Sequence, residues 1–310
     1  MRSPASGRGF LYAVSAYGLW GILPLYWKFL AAVSPLHILA FRILLSLALV
    51  GIILLARRNS AWLLVFRNPK TAVTLILTSL FLCCNWGLFI WAVNSGHTLQ
   101  ASLGYYINPL VSIILGLIFF RERLLPLQWA AVAIAFIGVL ILTVLSGSLP
   151  LISLLLALTF GFYALLKKKL GLAALESLGA ETLASAPVGI LLLCFSFGGS
   201  GGGVSGAAFT GLRSLAYLAE LPLRTWMLLA LAGLMTTLPL YFFALGAKLL
   251  PLSALGFTQF ITPTINFMLA LFVFGEAFPL RYFVTFGFIW TAVVIYIISL
   301  RLPPSVKKPG

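Results

Sequence analysis

Two stretches decide the fold: Tyr105-Tyr106-Ile107-Asn108-Pro109 and, about 150 residues later, Gln259-Phe260-Ile261-Thr262-Pro263. Each places a polar residue beside a proline near the middle of an apolar run long enough to cross a bilayer. Because proline has no backbone N–H, the backbone carbonyls of Tyr105 and Gln259, four residues before each proline, lose their usual hydrogen-bond donor. Such interruptions at corresponding positions of two repeats indicate the binding site of a secondary transporter.

The composition is that of a membrane protein. Of 310 residues, 62% are hydrophobic and only 8% are charged, whereas about a quarter of a soluble domain is charged. The net charge of +15 comes from short basic clusters between apolar runs, where such residues orient helices, so we expect no nucleic-acid partner. The expected partners are the lipid bilayer and a small-molecule substrate, with the chain a monomer or a weak dimer.

The apolar runs predict an all-α integral membrane protein with ten transmembrane helices. The predicted helices span residues 9–30, 35–56, 71–94, 98–120, 126–146, 149–166, 179–198, 225–247, 251–274 and 279–300. With the N-terminus inside, the inner segments hold 15 Lys or Arg and the outer segments four. Since cytoplasmic loops are enriched in these residues, we expect both termini to be cytoplasmic, in a bacterial inner membrane.

An internal repeat divides the chain into 9–146 and 149–300. Pro109 and Glu122 align with Pro263 and Glu276, each glutamate following its proline by 13 residues. Five helices per half is an odd number, so the second half must enter the membrane upside down, which predicts two inverted five-helix repeats. The Gly-rich stretch 198–224 is an external insert, either a short helix at the membrane surface or a disordered segment.

The chain also resembles a known family, the RarD group of the EamA-type drug/metabolite transporters. The runs that carry the resemblance are Asn85-Trp86, Trp91-Ala92-Val93-Asn94, Ala101-Ser102-Leu103-Gly104-Tyr105-Tyr106-Ile107-Asn108-Pro109-Leu110, Ala16-Tyr17, Leu19-Trp20-Gly21, Phe162-Tyr163, Lys168-Lys169, Glu181-Thr182 and Phe274-Gly275-Glu276. The resemblance implies a ten-helix inner-membrane carrier with a central cavity lined mainly by helices 1, 3, 4, 6, 8 and 9. RarD proteins are labelled chloramphenicol-sensitive or chloramphenicol-resistance permeases, a label that leaves the natural substrate open.

Departures from the family pattern lie near the expected cavity. Gln100 stands where the resemblance implies a glutamate, and His37 replaces an acid before the second-helix arginine. The family's His-Arg pair is Phe41-Arg42 here, and Ala277 replaces a proline. The chain therefore lacks the acid that proton coupling through the fourth helix would use.

The residues expected to line a substrate cavity are polar or aromatic side chains at and near the two interrupted helices. They are Trp20, Trp86, Tyr105, Tyr106, Asn108, Pro109, Tyr163, Tyr241, Gln259, Thr262, Pro263 and Asn266. The freed carbonyls can accept from a substrate ammonium, and the deep aromatics can stack on an amphipathic solute. The alternative is that both kinks serve only helix packing and that neighbouring helices satisfy the freed carbonyls. Tyr26 and Trp27 are expected in the interfacial belt.

Four charged residues are candidates for gating or coupling. Arg42 either binds an anionic substrate group or extends to the outer headgroups. Glu181 is either a gate or proton site or a carboxylate favoured by its helix dipole. Glu122 and Glu276 end helices at opposite faces, as alternating salt-bridge gates or as interface anchors.

These features predict a secondary, non-ATP transporter of small amphipathic metabolites or drugs, among them amino acids or chloramphenicol-like compounds, working by alternating access. The chain has no phosphate-binding Gly-Lys-Ser/Thr motif, and the resemblance favours export. Coupling is either absent, as in facilitated diffusion, or runs through a proton on Glu181. The alternatives are a channel-like facilitator and an integral-membrane lipid-modifying enzyme. With two histidines and no aspartate, we expect no enzyme activity, metal or cofactor.

Overall fold

The structure, a computed structural model, describes residues 4–31, 33–95, 97–145, 151–197, 207–209, 220–275 and 280–300. The predicted helical membrane protein is confirmed, and the helices are α1 Pro4–Lys28, α2 Pro35–Ala56, α3 Ala61–Leu64, α4 Pro69–Asn94, α5 Thr98–Phe119, α6 Pro126–Leu145, α7 Leu151–Leu170, α8 Ala174–Cys194, α9 Leu223–Leu249, α10 Leu252–Gln259, α11 Ile261–Phe272 and α12 Leu280–Ser299. A single 3₁₀ turn, Val65–Arg67, follows α3.

Eight spans in the described ranges are long and apolar enough to cross a membrane. They lie in α1, α2, α4, α5, α6, α7 and α9, with α10 and α11 counted together as Leu252–Phe272. Two other long helices fall below this criterion: α8 carries Glu176 and Glu181, and the apolar part of α12, Phe283–Ser299, is shorter. The count of ten spans therefore stays a prediction.

The two proline-containing stretches behave differently. Helix α5 continues through Pro109, whereas the second stretch is divided at Phe260, which separates α10 from α11. The amide of Phe260 donates to the carbonyl of Phe257 at 3.4 Å, a tighter turn than an α-helix makes. The prediction of two interrupted helices was thus wrong for the first, since one proline removes one hydrogen bond and the turns on either side still pair.

The region after α8 also differs from prediction. Helix α8 ends at Cys194, and Phe195–Phe197 (β1) pairs antiparallel with Ala207–Phe209 (β2). The helix expected over 179–198 therefore ends four residues earlier, at Cys194, and begins five residues earlier, at Ala174. Most of the 198–224 insert, including its predicted surface helix, lies outside the described residues.

Helices from the two halves of the chain interleave in the bundle. Helix α1 packs against α9 and α11, α2 packs against α8 and α9, and α5 packs against α7 and α10. Where α5 crosses α10, a Cβ placed on Gly256 would lie 2.7 Å from the carbonyl oxygen of Pro109. The two sequence stretches thus meet directly, and the glycine is what permits this close approach.

The bundle has two ends, which we name by their contacts. At the lysine face, which carries Lys167 and Lys168, the Asn59 amide donates to Glu176 at 2.9 Å and the Lys168 amine donates to the carbonyl of Ala247 at 3.1 Å. At the opposite face, the Tyr26 hydroxyl donates to the carbonyl of Leu228.

Candidate functional site

A cavity of about 200 Å³ lies between the two halves of the bundle. Its described lining residues are Tyr17, Trp20, Leu23, Pro24, Trp27, Arg42, Asn85, Trp86, Phe89, Ile90, Tyr105, Asn108, Phe160, Gln259, Thr262, Pro263 and Asn266. They come from α1, α2, α4, α5, α7, α10 and α11, so both proline-containing stretches contribute to one wall.

Arg42 is the only charged residue among the described side chains that line this cavity. Its guanidinium carbon lies 4.3 Å from the ring centre of Trp86 and 4.8 Å from that of Trp27, and its Nε donates to Thr236 Oγ1 at 3.0 Å. These contacts hold the side chain in the bundle interior, so the alternative of extension to the headgroups does not describe it. A cation fixed in this way keeps the planar donor group with which arginine can pair an anionic ligand group.

Two amide oxygens at the cavity accept no hydrogen bond from the residues that the structure describes. Asn108 is 4% exposed and its Oδ1 has no partner, and the Oδ1 of Asn266 is likewise unpaired. Buried polar atoms without partners are costly, so each oxygen favours a ligand that brings a donor. The cavity thus offers acceptors on α5 and α11 as well as a cation on α2.

Two other polar lining residues already have protein partners. The hydroxyl of Thr262 donates to the carbonyl of Tyr17 at 2.8 Å, joining α11 to α1. The amide of Asn85 donates to the carbonyl of Leu156 at 2.8 Å and to Thr159 Oγ1 at 3.0 Å. These bonds position the wall of the cavity and leave fewer groups of these residues for a ligand.

Aromatic rings form the apolar part of the wall. The ring of Trp20 lies 5.9 Å from that of Phe160, edge to face, and 5.6 Å from that of Tyr17. On the α4–α5 side, Phe89 and Tyr105 are 5.6 Å apart, also edge to face. Such rings provide an apolar surface for an amphipathic solute.

Four predicted cavity residues lie elsewhere. Tyr163 is fully buried and stacks on Phe243 at 5.6 Å, Tyr106 packs edge to face on Phe286, and Tyr241 packs beside Phe242. Helical rotation directs these rings into packing layers behind the wall. The carbonyl of Pro109 faces Gly256, and Pro109 does not line the cavity.

The sequence reasoning missed eight lining residues: Tyr17, Leu23, Pro24, Trp27, Asn85, Phe89, Ile90 and Phe160. Asn85 carried a usable signal, because a polar side chain inside an apolar run marks a functional position by default. Trp27, expected in the interfacial belt, instead covers one face of Arg42.

Two of the three glutamates proposed for gating lie in the described part of the chain, in different environments. The carboxylate of Glu122 accepts from the backbone amides of Leu252 at 2.6 Å and Ser253 at 2.9 Å, capping the N-terminus of α10. Glu181 accepts from the amine of Lys167 at 2.6 Å, both side chains being almost fully buried near the lysine face. Glu276 lies outside the described residues.

A helical bundle with eight candidate membrane spans in its described part, around a solute-sized cavity, is typical of a polytopic membrane transporter. Residues 7–144 match the EamA-like transporter family. An uncharacterized transporter of Vibrio cholerae is 44% identical over 293 residues, covering 93% of this chain and 91% of that protein. A protein RarD of Streptomyces exfoliatus is 41% identical over 288 residues, covering 93% and 87%.

The chain belongs to the RarD group of the EamA family. A solved structure described only as that of a protein has the same fold, with a TM-score of 0.68, 20% identity, and coverage of 97% of this chain and 100% of that one. The protein is therefore a multi-pass membrane transporter of a bacterial inner membrane.

Proposed function

We propose that the chain is a secondary carrier of small amphipathic amino acids, built as two inverted five-helix repeats, 9–146 and 149–300. The observation that carries the proposal is the cavity between the halves, where Arg42 is the one charged residue among the described lining side chains. Ten spans with both termini cytoplasmic fit the positive-inside rule, because the lysine face then lies in the cytoplasm.

The substrate chemistry follows from the wall. A carboxylate fits at Arg42, which is already stacked between Trp27 and Trp86. An ammonium fits the unpaired oxygens of Asn108 and Asn266, and an apolar side chain fits the surface of Trp20. An amino acid with an aromatic or large aliphatic side chain carries all three groups, and a volume of about 200 Å³ limits it to a single small solute.

The lysine face is held closed by contacts at the end of α9 and the start of α10, one set joining the two halves and the other lying within the second half. Glu122 caps α10, and Lys168 donates to the carbonyls of Ala247 and Leu250 at the end of α9. Loss of these contacts would free α9 and α10 to move, and closure of the opposite face would complete alternating access. The direction of net transport we propose is export.

Transport is tested in proteoliposomes with radiolabelled L-phenylalanine, L-leucine, L-threonine and chloramphenicol, with and without a pH gradient. The carrier proposal expects saturable movement of at least L-phenylalanine, and counterflow driven by unlabelled L-phenylalanine on the other side. Flux that rises linearly with concentration and shows no counterflow would favour a channel-like facilitator. Turnover of a lipid without movement of any solute would contradict a carrier.

The membrane orientation is tested by labelling single cysteines in a chain whose three native cysteines are replaced. Ser60 follows α2 at the lysine face and Glu220 precedes α9 at the opposite face, and both are exposed. A cysteine at position 60 is expected to react only from the cytoplasm and one at position 220 only from outside. Labelling with the sides reversed would contradict the proposed topology.

Asn108 is expected to bind the substrate ammonium. Because a hydrogen bond to a charged group contributes about 1.5–3 kcal/mol, Asn108→Ala should weaken L-phenylalanine binding by about tenfold or more. Thr262→Val is the matched control, since the Thr262 hydroxyl is bonded to the carbonyl of Tyr17 and its loss should lower thermal stability more than affinity. Calorimetric titration in detergent measures both variants. Equal affinity in Asn108→Ala and the unaltered protein would place the ammonium elsewhere.

A further inference from the structure

A second, smaller cavity adjoins the first and shares Arg42 and Trp86 with it. Its volume of about 20 Å³ has room for one water molecule. Glu181 is the other charged residue among its described lining side chains. The small cavity therefore lies between Arg42, the proposed binding group for the substrate carboxylate, and the buried carboxylate of Glu181.

Glu181 forms an ion pair with one cation, Lys167. Its side chain is 4% exposed, and Oε2 accepts from the amine of Lys167 at 2.6 Å, the single ion pair in the described part of the chain. Oε1 has no partner of good hydrogen-bond geometry among the described residues. The Thr78 hydroxyl lies beside the carboxylate and interacts with it, although its proton points to the carbonyls of Thr74 and Leu75. Apart from this hydroxyl, Oε1 is available to a second, charged donor.

Hydroxyl groups line the space between Arg42 and Glu181. Ser46 donates to the carbonyl of Gly233 at 3.1 Å, and Ser79 and Ser185 both donate to the backbone carbonyl of Glu181, at 2.9 and 2.8 Å. Because their protons are committed to carbonyls, the hydroxyl oxygens remain free to accept from a guanidinium. Thr236 Oγ1 already accepts from Arg42 in this way.

The charge balance of this region is uneven. Arg42 and Lys167 are two cations, and Glu181 is the one carboxylate between them. A substrate carboxylate on Arg42 gives each of these three protein charges a partner, while the substrate ammonium lies at the neutral amide oxygens of Asn108 and Asn266. When the substrate leaves, one cation has no partner, and burying it uncompensated is strongly unfavourable.

We propose that Glu181 changes partners during the cycle, pairing with Lys167 while a substrate carboxylate occupies Arg42 and with Arg42 when the site is empty. This change of partner neutralises Arg42, so that the empty carrier can close and reorient. It also releases Lys167 to water at the lysine face. This inference rests on the proposed function, because it requires that Arg42 binds the substrate.

The first test separates net transport from exchange, with L-phenylalanine as the probe in proteoliposomes. During substrate exchange, the carrier reorients in both directions with a substrate carboxylate bound to Arg42. Arg42 then does not need Glu181 as a partner. Glu181→Gln combined with Lys167→Met removes the buried pair together, so that neither partner is left unpaired. Net efflux of this double variant is expected to fall about 100-fold, while exchange stays within about threefold of the unaltered protein. Glu176→Gln, on the same helix and bonded to Asn59, is the control expected to keep both rates.

The second test uses affinity in detergent. Lys167 does not line the main cavity, yet Lys167→Met leaves Glu181 with Arg42 as its remaining cation, so that it competes with the substrate. L-phenylalanine binding is expected to weaken about tenfold in Lys167→Met and to recover in the double variant. A purely structural pair would not give this recovery.

Several outcomes would overturn the inference. Net efflux and exchange lost together in the double variant would make the pair structural, and net efflux at the unaltered rate would make Glu181 dispensable. Unchanged affinity in Lys167→Met would exclude competition for Arg42. If the unaltered protein binds L-phenylalanine no better than L-phenylalanine amide, the carboxylate site itself fails, and with it the proposed function rather than the partner exchange alone.

Discussion

Replacing Arg42 by glutamine is expected to weaken L-phenylalanine binding about 100-fold, because a desolvated charge pair is worth about 2–5 kcal/mol. The guanidinium is the one cation among the described lining residues, so no other described side chain of the cavity can take over the carboxylate. L-phenylalanine amide has no carboxylate, and its affinity is expected to change far less. Titration calorimetry with both ligands in detergent measures the difference.

Two further variants separate charge from geometry. Arg42→Lys keeps the charge but loses the planar group that stacks between Trp27 and Trp86, so its affinity is expected to lie between those of the unaltered protein and the glutamine variant. Lys28→Gln removes another cation, which lies over the ring of Phe274 and outside the cavity, and is expected to bind normally. Full affinity in Arg42→Gln would remove the carboxylate from this site.

Gly256→Ala is expected to cause a large loss of stability. The new Cβ would lie 2.7 Å from the carbonyl oxygen of Pro109 and 2.9 Å from the side chain of Ile113, and backbone at a helix crossing cannot move aside cheaply. Overpacking of this kind costs about 1–3 kcal/mol, which exceeds the gain of about 0.5–1 kcal/mol that alanine brings within a helix. Thermal unfolding in detergent measures the change, with the loss of the monodisperse peak as the readout.

Gly51→Ala is the matched control for this substitution. Gly51 lies within α2, and beyond its own turn of helix no atom of the described residues lies within 4 Å of a Cβ placed there, so alanine gains helix propensity without a clash. Its melting temperature is expected to equal or exceed that of the unaltered protein. A Gly256→Ala protein as stable as the Gly51→Ala protein would mean that α5 and α10 do not cross as closely as described.

The position of the cavity could be predicted because its signal is local. A proline beside a polar residue inside an apolar run is visible in the sequence, and Asn108, Gln259 and Thr262 do line one cavity. The helix boundaries were predictable for the same reason, since turns containing charged residues or proline end most apolar runs. Whether these residues bind a substrate stays a prediction.

The surroundings of Arg42 and Glu122 could not be predicted, because they depend on how distant helices pack. Trp27 and Trp86 enclose Arg42 from two other helices, and Glu122 reaches across 130 residues to cap α10. Tyr163 shows the reverse error: an aromatic residue near the expected cavity turned into the packing layer behind it. Sequence periodicity gives the face of a helix but not its neighbour.

The central claim is that an amino acid binds between the two halves with its carboxylate on Arg42. A crystal structure with L-4-bromophenylalanine tests it most directly, because bromine gives an anomalous signal that locates the side chain without interpretation of weak density. We predict a bromine peak inside the cavity of about 200 Å³, beside Trp20 and Phe160, with the carboxylate within hydrogen-bonding distance of the Arg42 guanidinium. A bromine peak outside this cavity, or none at a saturating concentration of ligand, would contradict the claim.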